Sequence, residues 1–220
     1  MTRHRPSVVV LDYGSGNLRS AQRALQRAGA DAEVSADSAA ALRADGLVVP
    51  GVGAFAACVA GLRQVGGDRV IAQRLAAGRP VLGICVGMQI LCEAGAENGE
   101  KTPGLGCWPG VVQKLTADVL PHMGWNVVVA PPASRLLTGL DGATMFYFVH
   151  SYAALQPPPG SAGPRGPSAG SQPPVVGWTT HGEPFVSLVE DGPLMATQFH
   201  PEKSSEAGSV LLGNWLGVLS

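Results

Sequence analysis

Short β-branched runs alternate with helical stretches through the first half of the chain. Val8-Val9-Val10-Leu11 reads as a buried strand, followed by a helix over residues 17–28. In that helix Leu18, Ala21, Leu25 and Ala28 recur on one face and Arg19, Arg23 and Arg27 lie largely on the other, and Gly29 ends it. A second strand around residues 32–35 leads into a short Ala-rich helix. Gly46-Leu47-Val48-Val49 forms a third strand closed by Pro50-Gly51. Beyond another helical region, residues 80–84 read as a fourth strand, and residues 86–94 as the helix that follows it. Strands alternating with helices predict an α/β fold with a mostly parallel central sheet flanked by helices on both faces.

The second half changes period. Segments 110–115, 125–129, 145–149, 175–180, 185–189 and 194–199 are short, β-rich and separated by turn residues, which predicts antiparallel strands attached to the parallel core. A last helix is expected over residues 205–219, with Val210, Leu211, Trp215 and Leu219 turned inward. Residues 156–174 are rich in Pro, Gly and Ser and nearly free of apolar anchors, so they read as a flexible surface loop that cannot repay its ordering entropy. With 220 residues the whole chain, 1–220, is expected to fold as a single domain.

Charge narrows the possibilities. Fifteen Lys and Arg against 16 Asp and Glu give a net charge of −1, unlike the basic excess of a protein that binds nucleic-acid backbones. No apolar run approaches the roughly 18 residues of a membrane span, and Asp12 interrupts the first apolar stretch before it reaches signal-peptide length. The expectation is a cytoplasmic protein. Its four cysteines show no CxxC pair and no zinc spacing, so no disulfide framework, metal or cofactor is expected.

One of those cysteines stands out. Gly83-Ile84-Cys85-Val86-Gly87 lies between a buried strand and a helical run, the setting of a nucleophile elbow. The glycines permit the sharp turn, and the helix start favours thiolate, the reactive form. A buried cysteine beside close-packed glycines is the competing reading. A nucleophile needs a base and the base needs an orienter. His200 follows an apolar strand, and Glu202 is two residues on, with Pro201 stiffening the link. The Val86 backbone N–H at the elbow is one oxyanion donor. The glycine-rich turn 50–55 is either a second donor or an ordinary strand-to-helix turn. The stretch 12–18, DYGSGNL, invites a dinucleotide reading, but Arg19 stands where the third glycine of that fingerprint belongs.

Assembled, these residues resemble the class I, triad-type glutamine amidotransferases, which have a flavodoxin-like fold. More narrowly they resemble the glutaminase subunits of imidazole glycerol phosphate synthase. The segments that carry the resemblance are DYGSGNL, PGVGAF, GICVGMQIL, PGLGCWPG, HMGWN, YFVHSY and ATQFHPEKS, from near the N-terminus to the last helix. The resemblance implies a triad of Cys85, His200 and Glu202 that hydrolyses L-glutamine through a γ-glutamyl thioester. It implies an oxyanion hole from Val86 and Gly53, and glutamine contacts at Gln89, at Glu93 one turn further, and at Ser151 and Tyr152 largely through backbone. It also implies a heterodimer with a (βα)₈ cyclase subunit that receives the ammonia, yielding imidazole glycerol phosphate and an aminoimidazole carboxamide ribotide. Tyr13, Asn17, Met123, Trp125 and Asn126 would face that partner.

Two departures from the family pattern are visible. Val86 replaces the commoner Leu after the nucleophile, which matters little because only its N–H is used. The 156–174 insertion is long and bears on the placement of Ser151 and Tyr152. Another class I amidotransferase, such as the glutaminase of pyridoxal phosphate synthase, or a stand-alone γ-glutamyl hydrolase would share the triad. A non-catalytic binding module would usually have lost one of its members.

Overall fold

Across five strands runs one row of apolar side chains, and it sets the architecture. In chain order the first half contains β1 (Ser7–Leu11), α1 (Leu18–Ala28), β2 (Asp31–Ser35), α2 (Ser38–Arg43), β3 (Gly46–Gly51), α3 (Phe55–Gln64), α4 (Gly67–Ala76) and β4 (Val81–Cys85). The second half adds α5 (Val86–Gln89), β5 (Cys92–Glu97), β6 (Glu100–Pro103), β7 (Trp108–Lys114), β8 (His122–Val127) and β9 (Met145–His150). It closes with β10 (Tyr152–Ala154), β11 (Val175–His181), β12 (Glu183–Asp191), β13 (Leu194–Thr197) and α6 (Ser205–Leu216). Val34, Val10, Val48, Leu82 and Met195 are register partners from β2 through β1, β3 and β4 to β13, all in parallel. The structure is a computed structural model that describes residues 5–159 and 173–219, so most of the loop expected over 156–174 lies outside the described residues.

Among the described residues the main sheet has seven strands in the order β11-β12-β13-β4-β3-β1-β2, with β11 and β12 antiparallel at one edge. β3 and β4 are buried along their whole length, as the unbroken apolar runs of a parallel sheet covered on both faces require. Helix α1 packs beside α6, and α4 beside α2 and α3. Gly29 takes the left-handed conformation, φ 110°, and caps α1 at the predicted place. Fully buried Trp215 anchors α6. Among the described residues no helix is long and apolar enough to cross a membrane.

Four sequence expectations are corrected. The helix expected over 86–94 is a single turn, α5, followed by strand β5. The carbonyls of Ile90, Leu91, Cys92 and Glu93 accept N–H groups from Leu105, Cys107, Gly106 and Gly104 rather than from a next helical turn. Ile90, Leu91 and Cys92 are all buried, and a continuously apolar run does not distinguish helix from strand. Second, the strand expected over 194–199 is β13, parallel to β4, because the β12–β13 hairpin turns the chain back into the parallel direction. Third, only part of the second half extends the core: β10-β7-β5-β6 form a separate four-stranded sheet, and β8-β9 a two-stranded ribbon. Helix α6 stops at Leu216, leaving Leu219 beyond it and Val210 half-buried, and its buried face runs through Gly208, Leu211, Leu212, Trp215 and Leu216.

Candidate active site

β3, β4 and β13 end side by side, and the carboxyl edge of a parallel sheet is where open α/β folds place their ligands. Cys85 ends β4 at φ 57°, a conformation rare for a side-chain-bearing residue, and α5 starts at the next position. That elbow depends on Gly87: a Cβ there would sit 1.8 Å from the Val49 carbonyl oxygen, so no larger residue lets α5 lie against β3. Cys85 is 3% exposed.

His200 reaches the same edge from beyond β13. Its backbone N–H donates to the Tyr147 carbonyl at 2.9 Å, and its own carbonyl accepts the Ser204 hydroxyl at 2.7 Å. Pro201–Lys203 form one tight 3₁₀ turn that swings Glu202 back behind the imidazole. His200 Nδ1–H donates to Glu202 Oε1 at 2.8 Å, with both side chains almost wholly buried. That bond commits Nδ1, and Nε2 has no hydrogen-bond partner among the described residues. Burial alone would lower the His200 pKa, but Cys85 and Glu202 together outweigh it and raise it to about 9.

A cleft of about 220 Å³ opens over Cys85, lined by Val52, Gly53, Val86, Gln89, Glu97, Val149, His150, Ser151, Tyr152 and His200. The sequence-predicted residues Cys85, His200, Gly53, Val86, Gln89, Ser151 and Tyr152 therefore meet at one site, with Glu202 behind His200. Gly53 has φ +87° and open space where a Cβ would be. The carbonyls of Ser151 and Tyr152 are already occupied: Leu115 N–H donates to the first, Gln89 Nε2 and His150 Nδ1 to the second.

Glu93 is corrected. It lies on β5 with its side chain exposed and does not line the cleft, because the helix that would have carried it one turn past Gln89 is absent. Glu97, four residues on, lines the cleft instead, and its Oε2 accepts the Phe55 N–H at 2.9 Å at the start of α3. Sequence reasoning missed it because its position depends on the β5 correction. His150 and Gln198 were also missed. Gln198 had a readable signal: it is two residues before His200 in an extended stretch, hence on the same side.

Of the residues expected to face a partner, Met123 and Trp125 are 66% and 49% exposed, and Asn17 is exposed. Tyr13 is corrected: it is 4% exposed, donates its hydroxyl proton to the Pro50 carbonyl, and burial pushes its pKa up. Asn126 is turned inward too, with Nδ2 3.2 Å from His122 Nε2 and 3.1 Å from the Thr180 carbonyl oxygen.

A cysteine at a strand-to-helix elbow thus shares a cleft with an imidazole backed by a carboxylate, at the carboxyl edge of a largely parallel sheet. The sequence model of the family "Glutamine amidotransferase class-I" matches residues 9–216. A solved structure described as a glutamine amidotransferase shares the fold with a TM-score of 0.69 at 21% identity, covering 96% of this chain and 97% of the other. The chain is 60% identical over 98% of its length to the imidazole glycerol phosphate synthase subunit HisH of Thermobifida fusca, and it spans the whole of that protein. It is 61% identical over 97% of its length to the subunit of the same name from Mycobacterium bovis, spanning 98% of it. The chain belongs to the class I glutamine amidotransferases and, among them, to the HisH family of imidazole glycerol phosphate synthase subunits.

Proposed function

We propose that this chain is the glutaminase half of an imidazole glycerol phosphate synthase, acting in the cytoplasm in histidine biosynthesis. His200 Nε2 takes the Cys85 thiol proton, and the thiolate attacks the glutamine side-chain carbonyl carbon. The Val86 N–H and the Gly53 turn hold the oxyanion. As the tetrahedral intermediate collapses, the proton on His200 goes to the leaving nitrogen and ammonia departs, leaving a γ-glutamyl thioester. Water, deprotonated by His200, then attacks the thioester, and glutamate leaves with the thiol restored. Glu202 keeps the imidazole in the tautomer that presents Nε2 throughout.

The observation that carries this reading is the 2.8 Å bond from Glu202 to the back of His200, whose imidazole lines a cleft with Cys85, Gln89 and Glu97. The partner is a cyclase subunit of (βα)₈ architecture, to which ammonia passes without entering bulk water. Met123 and Trp125, exposed on β8, supply the apolar anchors such an interface needs. The test is ammonia release from glutamine by the chain alone and with an equimolar cyclase subunit and its nucleotide ligand. Weak release alone and strong activation in the complex are expected. Full activity alone would keep the triad and remove the channelled-subunit assignment.

A further inference from the structure

The nucleophile has a neighbour that the triad does not use. Thr197 and Ile84 are the last rung of the β13–β4 ladder, so one residue further on Gln198 stands beside Cys85. Its backbone N–H donates to the Ser187 carbonyl at 2.9 Å, and the residue is fully buried.

Hydrogen-bond logic fixes which way its amide points. The Tyr152 carbonyl can only accept, so the Gln89 atom 2.7 Å from it is Nε2. That same Nε2 lies 2.9 Å from the Gln198 amide and must meet its oxygen, Oε1. Gln198 Nε2 is thereby turned towards Cys85 Sγ, 3.6 Å away and within hydrogen-bonding reach of sulfur. We infer that Gln198 is a further catalytic residue for glutamine hydrolysis, donating an N–H to Cys85 Sγ, with Gln89 as the positioning residue that fixes its amide. An uncharged donor favours the thiolate without taking the proton, which stays free to move to His200. It also serves a sulfur that is only 3% exposed, where a negative charge has few donors to meet it. The inference rests on Cys85 being the nucleophile.

The test is alkylation of Cys85 by iodoacetamide in the full chain, read by peptide mass spectrometry so that Cys58, Cys92 and Cys107 are scored separately. Gln198→Met keeps a long buried side chain and removes the N–H. Cys85 alkylation and the rate of ammonia release should each fall about fivefold or more, the worth of one hydrogen bond, with Cys58 alkylation unchanged. Wild-type Cys85 alkylation in a folded Gln198→Met protein overturns the assignment. If that variant fails to fold, Gln89→Leu carries the same test, since it frees Gln198 Oε1 and lets the amide turn away from sulfur. Loss of Cys85 alkylation rate is again the expected result, and no change again overturns it. Cys85→Ala that still hydrolyses glutamine at the wild-type rate is a different failure, because it removes the nucleophile itself.

Discussion

Ser15 Oγ accepts the Val52 N–H at 3.0 Å and donates its own proton to the Val52 carbonyl at 2.8 Å. The Cys58 thiol reaches the same carbonyl at 3.3 Å. The 12–17 loop thus grips the turn that carries Gly53, our proposed oxyanion donor, through its Val52 peptide groups. Ser15→Ala removes both side-chain bonds and should cost about 1–2 kcal/mol of stability. It also frees the Val52–Gly53 turn to reorient, so ammonia release by the chain without its partner should rise several-fold. A thermal melt and an unstimulated glutaminase assay check the two effects. A drop in stability with no gain in basal rate would show that the grip does not restrain the catalytic turn.

Three neutral imidazole and amide groups pass hydrogen bonds in one direction toward the cleft. The Tyr152 carbonyl requires His150 Nδ1 to be the protonated nitrogen, at 2.9 Å, so His150 Nε2 accepts from His122 Nδ1 at 3.0 Å. His122 Nε2 then accepts from Asn126 Nδ2 at 3.2 Å. A proton added to either ring breaks a link. Burial lowers the pKa of His122 to about 4 and of His150 to about 3, helped for His122 by His181 stacked 4.2 Å away. Above 6.5 both rings are neutral folded and unfolded. Below it the unfolded chain takes up protons first, so stability falls as pH drops from 6.5 toward 4 and then 3. His122→Gln should flatten that fall in melting temperature, and an unaltered slope would place its cause elsewhere. His200 acts with the opposite sign: its raised pKa gives stability that is full below 6.5 and lost as pH rises through about 9.

The two glutamates of β5 separate sharply. Glutamine carries an α-ammonium group that needs an anionic partner, and Glu97 lines the cleft while Glu93 faces solvent. Glu97→Gln should raise KM for glutamine roughly tenfold or more, the scale of a lost charge-assisted hydrogen bond. It also weakens the acceptor for the Phe55 N–H, so the melt should drop slightly. Glu93→Gln should leave both unchanged. Steady-state kinetics on the two variants decide it, and equal effects would count against this geometry.

What the sequence made legible follows from the range of the interactions involved. The parallel core is written in local runs such as Val8-Val9-Val10-Leu11, whose burial on both faces forces continuous apolarity. The elbow was legible through Gly83 and Gly87, and the bonded His200–Glu202 pair through its spacing of only two residues. Glu97 was not, since it owes its position to pairings between distant segments, β5 with β6 and β7, whereas Gln198 could be read on the side of His200 but not as a neighbour of Cys85, which depends on β13 pairing with β4. Tyr13 and Asn126 were expected at a partner surface because the DYGSGNL and HMGWN segments resemble those of the family. Their side chains found internal acceptors, which a one-dimensional pattern does not record.

Trp125 packs edge-on at 6.0 Å against Tyr147, its partner across the β8–β9 ribbon, and Lys203 of the turn after β13 lies 5.9 Å from the Tyr147 ring centre. Half of the indole remains exposed, beside Met123 on β8, so it does not hold the core together. Trp125→Ala should therefore shift the melting temperature little. If this ribbon meets the cyclase subunit, the same change should weaken the complex by about 1–2 kcal/mol, close to tenfold in Kd. Stimulation of ammonia release by the partner should fall with it, while basal release stays near wild type. Titration calorimetry with the cyclase subunit separates the effects. Unfolding of Trp125→Ala would assign the indole to the core after all, and undiminished affinity would move the docking surface off β8.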